Sequence, residues 1–241
     1  MISEKLIKQY ELDGAVCIRG AVDQDIAASV LANIDALIAD TNDRWTTIRK
    51  GGFSDRHLWP TMPWMYEFCA NSRLPKIVGR LMRTREARLF FDRIFVRDAG
   101  TTLDTPWHQD RPYWPFKGRQ IASTWVALTA CDEASSAAQF VRGSHAWGKV
   151  FRPMAFSKEG GSSEFLGDNA AYEEYRISTQ HPVTTRSSAG TCNPATRSYS
   201  VPKSFTARNK TRIRRDDEPP CQSGTSVMMP GGIPRKEPIL S

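Results

Sequence analysis

The order of hydrophobic patterns along the chain limits the fold more than any other feature. Apolar residues at helical spacing predict an amphipathic helix over about residues 24–40, and a second helix is predicted from Leu74 to Met82. Runs rich in aromatic and β-branched residues predict strands at 14–20, 88–97, 120–128 and 139–142. Helices first and strands afterwards predict an α+β protein built around an antiparallel barrel or sandwich.

Length and cysteine usage narrow the class of protein. A chain of 241 residues is long enough for one well-buried domain. Its five cysteines are odd in number and scattered, which argues against a disulfide framework and predicts a reducing, cytoplasmic location. Residues 1–10 carry an acid and lack the apolar core of a secretory signal. No run approaches the roughly 20 apolar residues of a membrane span, so no membrane partner is expected.

The character of the chain changes near residue 176. Residues 176–241 hold 11 of the 33 Lys/Arg and 4 of the 26 Asp/Glu, so the whole excess charge of +7 lies there and the rest of the chain is balanced. All seven tryptophans lie at or before Trp147, and eight of the fifteen prolines lie from Pro182 onward. We therefore divide the chain into a folded domain, 1–176, and a basic low-complexity tail, 177–241, which composition alone predicts to be disordered.

The tripeptide His108-Gln109-Asp110 carries the chemistry. Residues two apart on an extended strand point to the same face, so His108 and Asp110 can hold one metal ion together. With a second histidine from elsewhere they would form the 2-His-1-carboxylate arrangement of non-haem Fe(II) oxygenases. The spacing by itself is a weak signal, because three residues recur by chance.

The surrounding segments make the signal specific. Thr105–Pro115, Ser123–Leu128 and Phe140–Gly148 resemble the phytanoyl-CoA dioxygenase family, and so do Asp13–Gly20 and Leu89–Val96. The resemblance covers roughly residues 8–175 with the segments in the expected order. It implies a double-stranded β-helix of the jelly-roll or cupin type, with N-terminal helices and an incomplete C-terminal end.

The resemblance also implies an activity. Family members use Fe(II), 2-oxoglutarate and O2, hydroxylate a small organic substrate, and release succinate and CO2. His108 and Asp110 match the first two metal ligands, while Gln109 and Trp125 match positions that line the 2-oxoglutarate site. Related halogenating enzymes lack the carboxylate, so Asp110 favours hydroxylation.

Several other side chains have a structural interpretation beside the functional one. Trp107, Tyr113 and Trp114 could form a substrate wall or merely pack a loop, and Trp125 could equally be core. His145, within a Gly-Ser-His turn, and His57 are expected to be structural.

The family's closing motif is missing. A second metal histidine, followed by an arginine that pairs with 2-oxoglutarate, is expected near the end of the barrel, yet His181 is the only histidine in 176–241 and is a poor match. Reading across codon junctions restores family-like motifs: Phe205/Thr206 allows only His or Tyr, and Met228/Met229 forces Asp. We therefore interpret the residues beyond about 176–183 as out-of-frame translation.

Two other classes of function stay open. The chain could be a catalytically inactive β-helix that binds a ligand, because the second histidine is missing. It could also bind nucleic acid through Arg208–Arg215, although that stretch lacks interleaved aromatic residues and a solvated tail is favoured.

Overall fold

The computed structural model describes residues 2–40, 47–49, 52–97, 107–115, 118, 120–129, 138–153, 172–173, 183–184, 198–200, 207–208 and 225–230. Its helices are α1 (Glu4–Asp13), α2 (Gln24–Ala39), α3 (Pro63–Tyr66), which continues as a π-helical turn (Glu67–Asn71), and α4 (Leu74–Leu81). Short 3-10 turns lie at Arg111–Tyr113 and Ser144–Ala146. The two predicted helices are confirmed as α2 and α4, whereas α1 and α3 were not predicted.

The strands are β1 (Cys17–Arg19), β2 (Thr47–Arg49), β3 (Gly52–Arg56), β4 (Phe91–Arg97), β5 (Ile121–Val126), β6 (Gln139–Val141), β7 (Val183–Thr184), β8 (Ser198–Ser200), β9 (Ala207–Arg208) and β10 (Thr225–Pro230). In the described part of the chain, seven of them form a sheet in the order β1-β8-β5-β10-β4-β3-β2, and three form a sheet in the order β7-β6-β9. All the pairings are antiparallel. The predicted strands correspond to β1, β4, β5 and β6, but Gly14 caps α1 and does not begin a strand.

The larger sheet has one face against the helices. On β4 the alternate residues Asp92, Ile94 and Val96 are buried, and on β5 Ala122 and Val126 are buried. The apolar members of this set share a core with side chains from α1, α2 and α4. The other face, which we call the distal face, bears the intervening residues of these strands because successive side chains alternate.

The smaller sheet lies on the distal face. Trp125 on β5 packs against a small cluster formed by Ala15, Ala138 and Phe140. Phe140 belongs to β6, so this contact joins the two sheets. The result is a layer of helices, a large sheet and a small sheet.

Helix α1 is fastened to the turn after β6. Ser3 caps its N-terminus with a hydroxyl that accepts a hydrogen bond from the Leu6 amide, and Gly14, with φ +79°, caps its C-terminus. The Gly143 amide donates to the Asp13 carbonyl at 2.9 Å, and His145 Nε2 lies 3.0 Å from the Glu11 carbonyl oxygen. This contact fixes the N-terminal helix relative to the sheets.

The segment after residue 176 differs from the composition-based prediction of disorder. The residues described there form four strands, and β10 pairs with both β4 and β5 in the interior of the larger sheet. Composition misses this because strand pairing is decided by backbone hydrogen bonds to neighbours elsewhere in the chain. The division at residue 176 itself stays a prediction. Within the described residues, no helix is long and apolar enough to cross a membrane.

Candidate metal centre

The His108-Gln109-Asp110 segment is less regular than predicted. Gln109 forms a single β-bridge, and Asp110 has helical backbone angles of φ −72° and ψ −34°, which lead into the 3-10 turn at Arg111–Tyr113. The prediction of one extended strand over the tripeptide is therefore wrong. Pro112 explains the change of direction, because its fixed φ suits the first turn of a helix.

His108 and Asp110 nevertheless converge. His108 Nε2 lies 3.3 Å from Asp110 Oδ1, and the two side chains are 12% and 26% exposed. An imidazole nitrogen and a carboxylate oxygen thus share one small, partly shielded volume. This is the juxtaposition that the sequence predicted for a metal pair.

Ser123 orients the carboxylate. Its hydroxyl donates a hydrogen bond to Asp110 Oδ2 at 2.8 Å, which leaves Oδ1 on the side of His108. Ser123 is buried on β5, two residues before Trp125, so both side chains project from the distal face. The sequence analysis missed Ser123, since nothing in its local pattern links it to Asp110.

Gln109 is held by the backbone of another segment. Its side chain is buried, its Oε1 accepts from the Phe151 amide at 2.9 Å, and its Nε2 donates to the Lys149 carbonyl at 3.1 Å. These bonds fasten the tripeptide to residues 149–151. These hydrogen bonds do not bear on the predicted place of Gln109 at a 2-oxoglutarate site, which stays a prediction.

Trp125 follows Ser123 by two residues on β5 and packs in a small apolar cluster. It shares the distal face with Ser123 and is half-buried against the cluster that contains Phe140. Its predicted place beside the co-substrate stays a prediction, and both original interpretations remain open.

One aromatic ring lies beside His108, and others pack along the same segment. The Tyr113 ring centroid lies 6.2 Å from that of His108, at 85°. Trp114 packs edge-on against Phe91 on β4, with ring centroids 4.8 Å apart, and against Phe90 at 5.4 Å. Trp114 thus links the segment that carries His108 and Asp110 to β4. Trp107, which precedes His108 in the sequence, is half-buried.

The remaining histidines do not join the pair in the described structure. His145 contacts the end of α1, as its structural interpretation predicts. His57 is exposed, has φ +58°, and places its ring 4.8 Å from that of Phe91. His181 lies outside the described residues. Within the described ranges no group of three or more His, Cys, Asp or Glu side chains could hold a metal, so the third ligand is not among them.

A buried carboxylate supports the strand next to the site. Asp92 on β4 is fully buried, and its oxygens accept hydrogen bonds from the amides of Leu58 and Trp59 at 3.1 and 3.0 Å. Burial raises the pKa of Asp92 from its ordinary value, although the two backbone hydrogen bonds oppose the shift. Asp92 holds the turn that follows β3.

The basic stretch proposed for nucleic acid is described only at its start. β9 contains Arg208, and residues 209–215 lie outside the described ranges. The Arg208–Arg215 alternative is therefore untested.

Comparison with known proteins identifies related sequences and folds. A family profile described as Phytanoyl-CoA dioxygenase (PhyH) matches residues 10–192. No curated protein matches the sequence.

Three crystal structures share the fold at low sequence identity. The epimerase SnoN, in complex with Fe3+, alpha ketoglutarate and nogalamycin RO, has a TM-score of 0.66 at 18% identity, covering 95% of this chain and 83% of SnoN. The non-heme alpha ketoglutarate dependent carbocyclase SnoK gives 0.67 at 15%, covering 95% and 84%. EctD from S. alaskensis, with 2-oxoglutarate and 5-hydroxyectoine, gives 0.68 at 16%, covering 95% and 76%. At these identities the comparison shows a shared fold.

Proposed function

Because the chain belongs to the phytanoyl-CoA dioxygenase family, as its motifs predicted, we propose that it hydroxylates a small organic substrate with release of succinate and CO2. Members of this family are Fe(II)- and 2-oxoglutarate-dependent enzymes. The observation that carries the proposal is the 3.3 Å approach of His108 Nε2 to Asp110 Oδ1. O2 is the second co-substrate.

The donor set at this point fits Fe(II). Neutral imidazole and carboxylate are ligands that non-haem iron accepts, and a facial set of three protein ligands leaves other positions open. His108 and Asp110 would supply two of the three. When bound, iron would activate O2, which is the oxidant, with electrons taken from 2-oxoglutarate and from the C–H bond of the substrate.

The protein's own residues position and shield this centre. Ser123 holds the Asp110 carboxylate through Oδ2, and Gln109 fastens the ligand segment to residues 149–151. We propose that Tyr113, whose ring lies beside His108, and Trp114, which packs on Phe91 of β4, also help to shield the centre from water. We propose that Gln109 and Trp125 also line the 2-oxoglutarate site, as the family motif implies.

Hydroxylation is proposed over other outcomes because of Asp110. The structural neighbours include an epimerase and a carbocyclase, so the fold alone does not select a reaction. A carboxylate at 110 occupies the position that the resemblance associates with halide binding in halogenating relatives. Asp110 therefore argues against halogenation and supports oxygen transfer.

We propose that the residues beyond about 176–183 are translated out of frame, so that the double-stranded β-helix lacks its family-type C-terminal end although β10 pairs with β4 and β5. The family match ends at residue 192, so residues 193–241 lie outside it. The coding DNA tests the proposal: the alternative frame must encode His at the Phe205/Thr206 junction, and a codon pair that encodes Tyr there would refute it.

A catalytically inactive ligand-binding protein is the second candidate. It is supported by the described residues, among which no third candidate ligand joins His108 and Asp110. Retained affinity for 2-oxoglutarate without any succinate formation would favour it. The scattered cysteines support a cytoplasmic location under either candidate function.

The main experiment is an anaerobic titration with Fe(II) and 2-oxoglutarate. The proposal predicts a weak visible charge-transfer band, followed by succinate when O2 is admitted. His108→Ala should abolish the band, whereas His57→Ala, at an exposed histidine outside the pair, should keep it. The same titration is repeated on a chain whose C-terminal segment is translated in the alternative frame. A band in that chain alone would show that the C-terminal segment is defective. Absence of the band in both chains would refute the assignment as an oxygenase.

A further inference from the structure

Phe91 contacts the end of the segment that carries the candidate metal ligands. It is the first residue of β4, and its ring centroid lies 4.8 Å from that of Trp114, at an interplanar angle of 68°. Aromatic pairs prefer such edge-on arrangements at centroid separations of about 4.5–7 Å. Trp114 follows the 3-10 turn at Arg111–Tyr113, which begins directly after Asp110. The ring contact is therefore close in sequence to a candidate metal ligand.

Backbone hydrogen bonds connect Trp114 to Asp110. The Trp114 amide donates to the Arg111 carbonyl at 3.2 Å, and the Tyr113 amide donates to the Asp110 carbonyl at 3.0 Å. A single 3-10 turn has poor hydrogen-bond geometry, so it is weakly held by its own bonds. Pro112 fixes one dihedral angle inside the turn, but it does not set where the turn lies relative to the sheet. The contact of Trp114 with β4 supplies that position.

Phe91 is itself held in place. Its ring centroid lies 4.8 Å from that of His57, at 83°, and the His57 amide donates to the Asp92 carbonyl at 3.1 Å. Phe91 is half-buried, and the next residue of β4, Asp92, is fully buried. Because Phe91 contacts rings on two sequence segments, few positions are open to its side chain.

Phe91 and Ser123 stand in one cross-strand row. Both are register partners of Met228 on β10, so they share the distal face and are separated by one strand. Neighbouring strands are about 4.8 Å apart, so the two backbones lie about 10 Å apart. Ser123 donates to the Asp110 carboxylate, and Phe91 contacts Trp114. Two strands thus act on Asp110, β5 on its side chain and β4 on its backbone.

We propose that Phe91 is a positioning residue for the candidate metal centre, which holds Trp114 and thereby fixes the backbone of Asp110 relative to the sheet. Ordinary packing requires only an apolar side chain of similar size at this place, whereas the positioning role requires the ring. The consequence for metal binding rests on the proposed oxygenase function. The consequence for the turn does not require a metal.

The first test measures amide hydrogen exchange in metal-free, full-length protein by NMR. Phe91→Leu should increase the exchange rate of the Tyr113 amide by about tenfold, which is the weight of one edge-on aromatic pair. Phe91→Tyr, which keeps the ring, should exchange at the unmodified rate. The Ile77 amide of α4, bonded to the Arg73 carbonyl at 3.0 Å, reports overall opening, and each Tyr113 rate is compared with it.

Phe95→Leu is the matched control. Phe95 is half-buried on the same strand and the same face as Phe91, about 13 Å further along, and its ring contacts the Arg93 guanidinium. This variant should leave the Tyr113 exchange rate unchanged. Equal rates in Phe91→Leu and Phe95→Leu would overturn the proposal.

A double variant shows whether Phe91 acts through Trp114. Once Trp114→Leu has removed the ring contact, the addition of Phe91→Leu should not raise the Tyr113 exchange rate further. A second rise of about tenfold would mean that Phe91 acts by another route, and the proposal would be wrong. If Phe91→Leu does not fold, Phe91→Met, which keeps apolar volume without a ring, takes its place.

Titration with Co(II), followed by visible absorption, measures the consequence for the metal centre. Phe91→Leu should weaken Co(II) binding by about tenfold, and Phe95→Leu should not change it. Faster Tyr113 exchange with unchanged Co(II) affinity would overturn the assignment to the metal centre. If the unmodified protein binds no Co(II), the proposed metal centre fails, whereas the exchange rates still decide whether Phe91 positions Asp110.

Discussion

The hydroxyl of Ser123 donates a 2.8 Å hydrogen bond to Oδ2 of Asp110, whose other oxygen lies 3.3 Å from His108 Nε2. The bond sets the rotation of the carboxylate relative to the imidazole. A side chain that binds no metal thus determines where the two candidate ligands meet.

Ser123→Ala should weaken metal affinity by about tenfold, because partners that orient a ligand contribute on that scale. Titration with Co(II), followed by its visible absorption, measures the affinity without turnover. Ser54→Ala removes a hydroxyl from the same face of the sheet that is bonded to Arg93, and it should not change Co(II) affinity. Equal affinities for the Ser123→Ala and unmodified proteins would contradict the positioning role.

Gln109→Ala should lower the free energy of unfolding by about 1–3 kcal/mol, because it leaves the buried Phe151 amide, together with the part-buried Lys149 carbonyl, without its partner. Urea unfolding monitored by circular dichroism measures this effect. Gln120→Ala, at an exposed glutamine bonded to the Met82 carbonyl, should have a smaller effect. If Gln109 also lines the co-substrate site, its variant loses 2-oxoglutarate affinity under conditions where the protein is fully folded.

Gly14→Ala should destabilise the protein more than Gly20→Ala. Both glycines have positive φ, +79° and +63°, so both substitutions carry backbone strain of about 1–2 kcal/mol. A Cβ at Gly14 would additionally lie 2.2 Å from His145 Nδ1, whereas a Cβ at Gly20 meets nothing within 4 Å. The difference between the unfolding free energies of the two variants measures the cost of the clash. Equal values would show that the turn at His145 moves aside without loss of stability.

Ionisation of Asp92 should lower the free energy of unfolding as the pH rises. Its folded pKa is raised by burial above the ordinary 3.8, so the unfolded chain loses this proton at a lower pH than the folded chain does. The contribution to stability is complete below the unfolded pKa and is lost as the pH rises through the folded pKa.

The comparison is between unmodified protein and Asp92→Asn, by urea unfolding from about pH 4 to pH 7. As the pH rises, the unfolding free energy of the unmodified protein should fall relative to that of Asp92→Asn. Asp25→Asn, at an exposed carboxylate on α2, controls for the removal of a carboxylate as such. A difference that does not vary with pH would contradict a raised pKa.

Local patterns were sufficient for the elements with strong periodicity. Helices α2 and α4 follow from the spacing of apolar residues, because one face of each is buried. Strands β4, β5 and β6 follow from their aromatic and β-branched residues. Helix α1 was missed since its apolar residues are few, and its docking depends on a contact with His145 that is 134 residues away in sequence. The pairing of β10 was missed because composition carries no information about backbone pairing.

The sequence by itself determined the family and the candidate metal pair, because His108 and Asp110 are close in the chain and their flanking segments are specific. Only the tertiary structure decided which residues contact the pair and its segment. It supplied the hydrogen bond from Ser123 to Asp110 and the hydrogen bonds of Gln109 to residues 149–151. It also placed Arg93 and Trp125 opposite the same residue of β10, residue 226. The physical reason is strand register, which is set by hydrogen bonds between distant segments. A shift of one residue would turn Arg93 and Ser123 to the opposite face of the sheet.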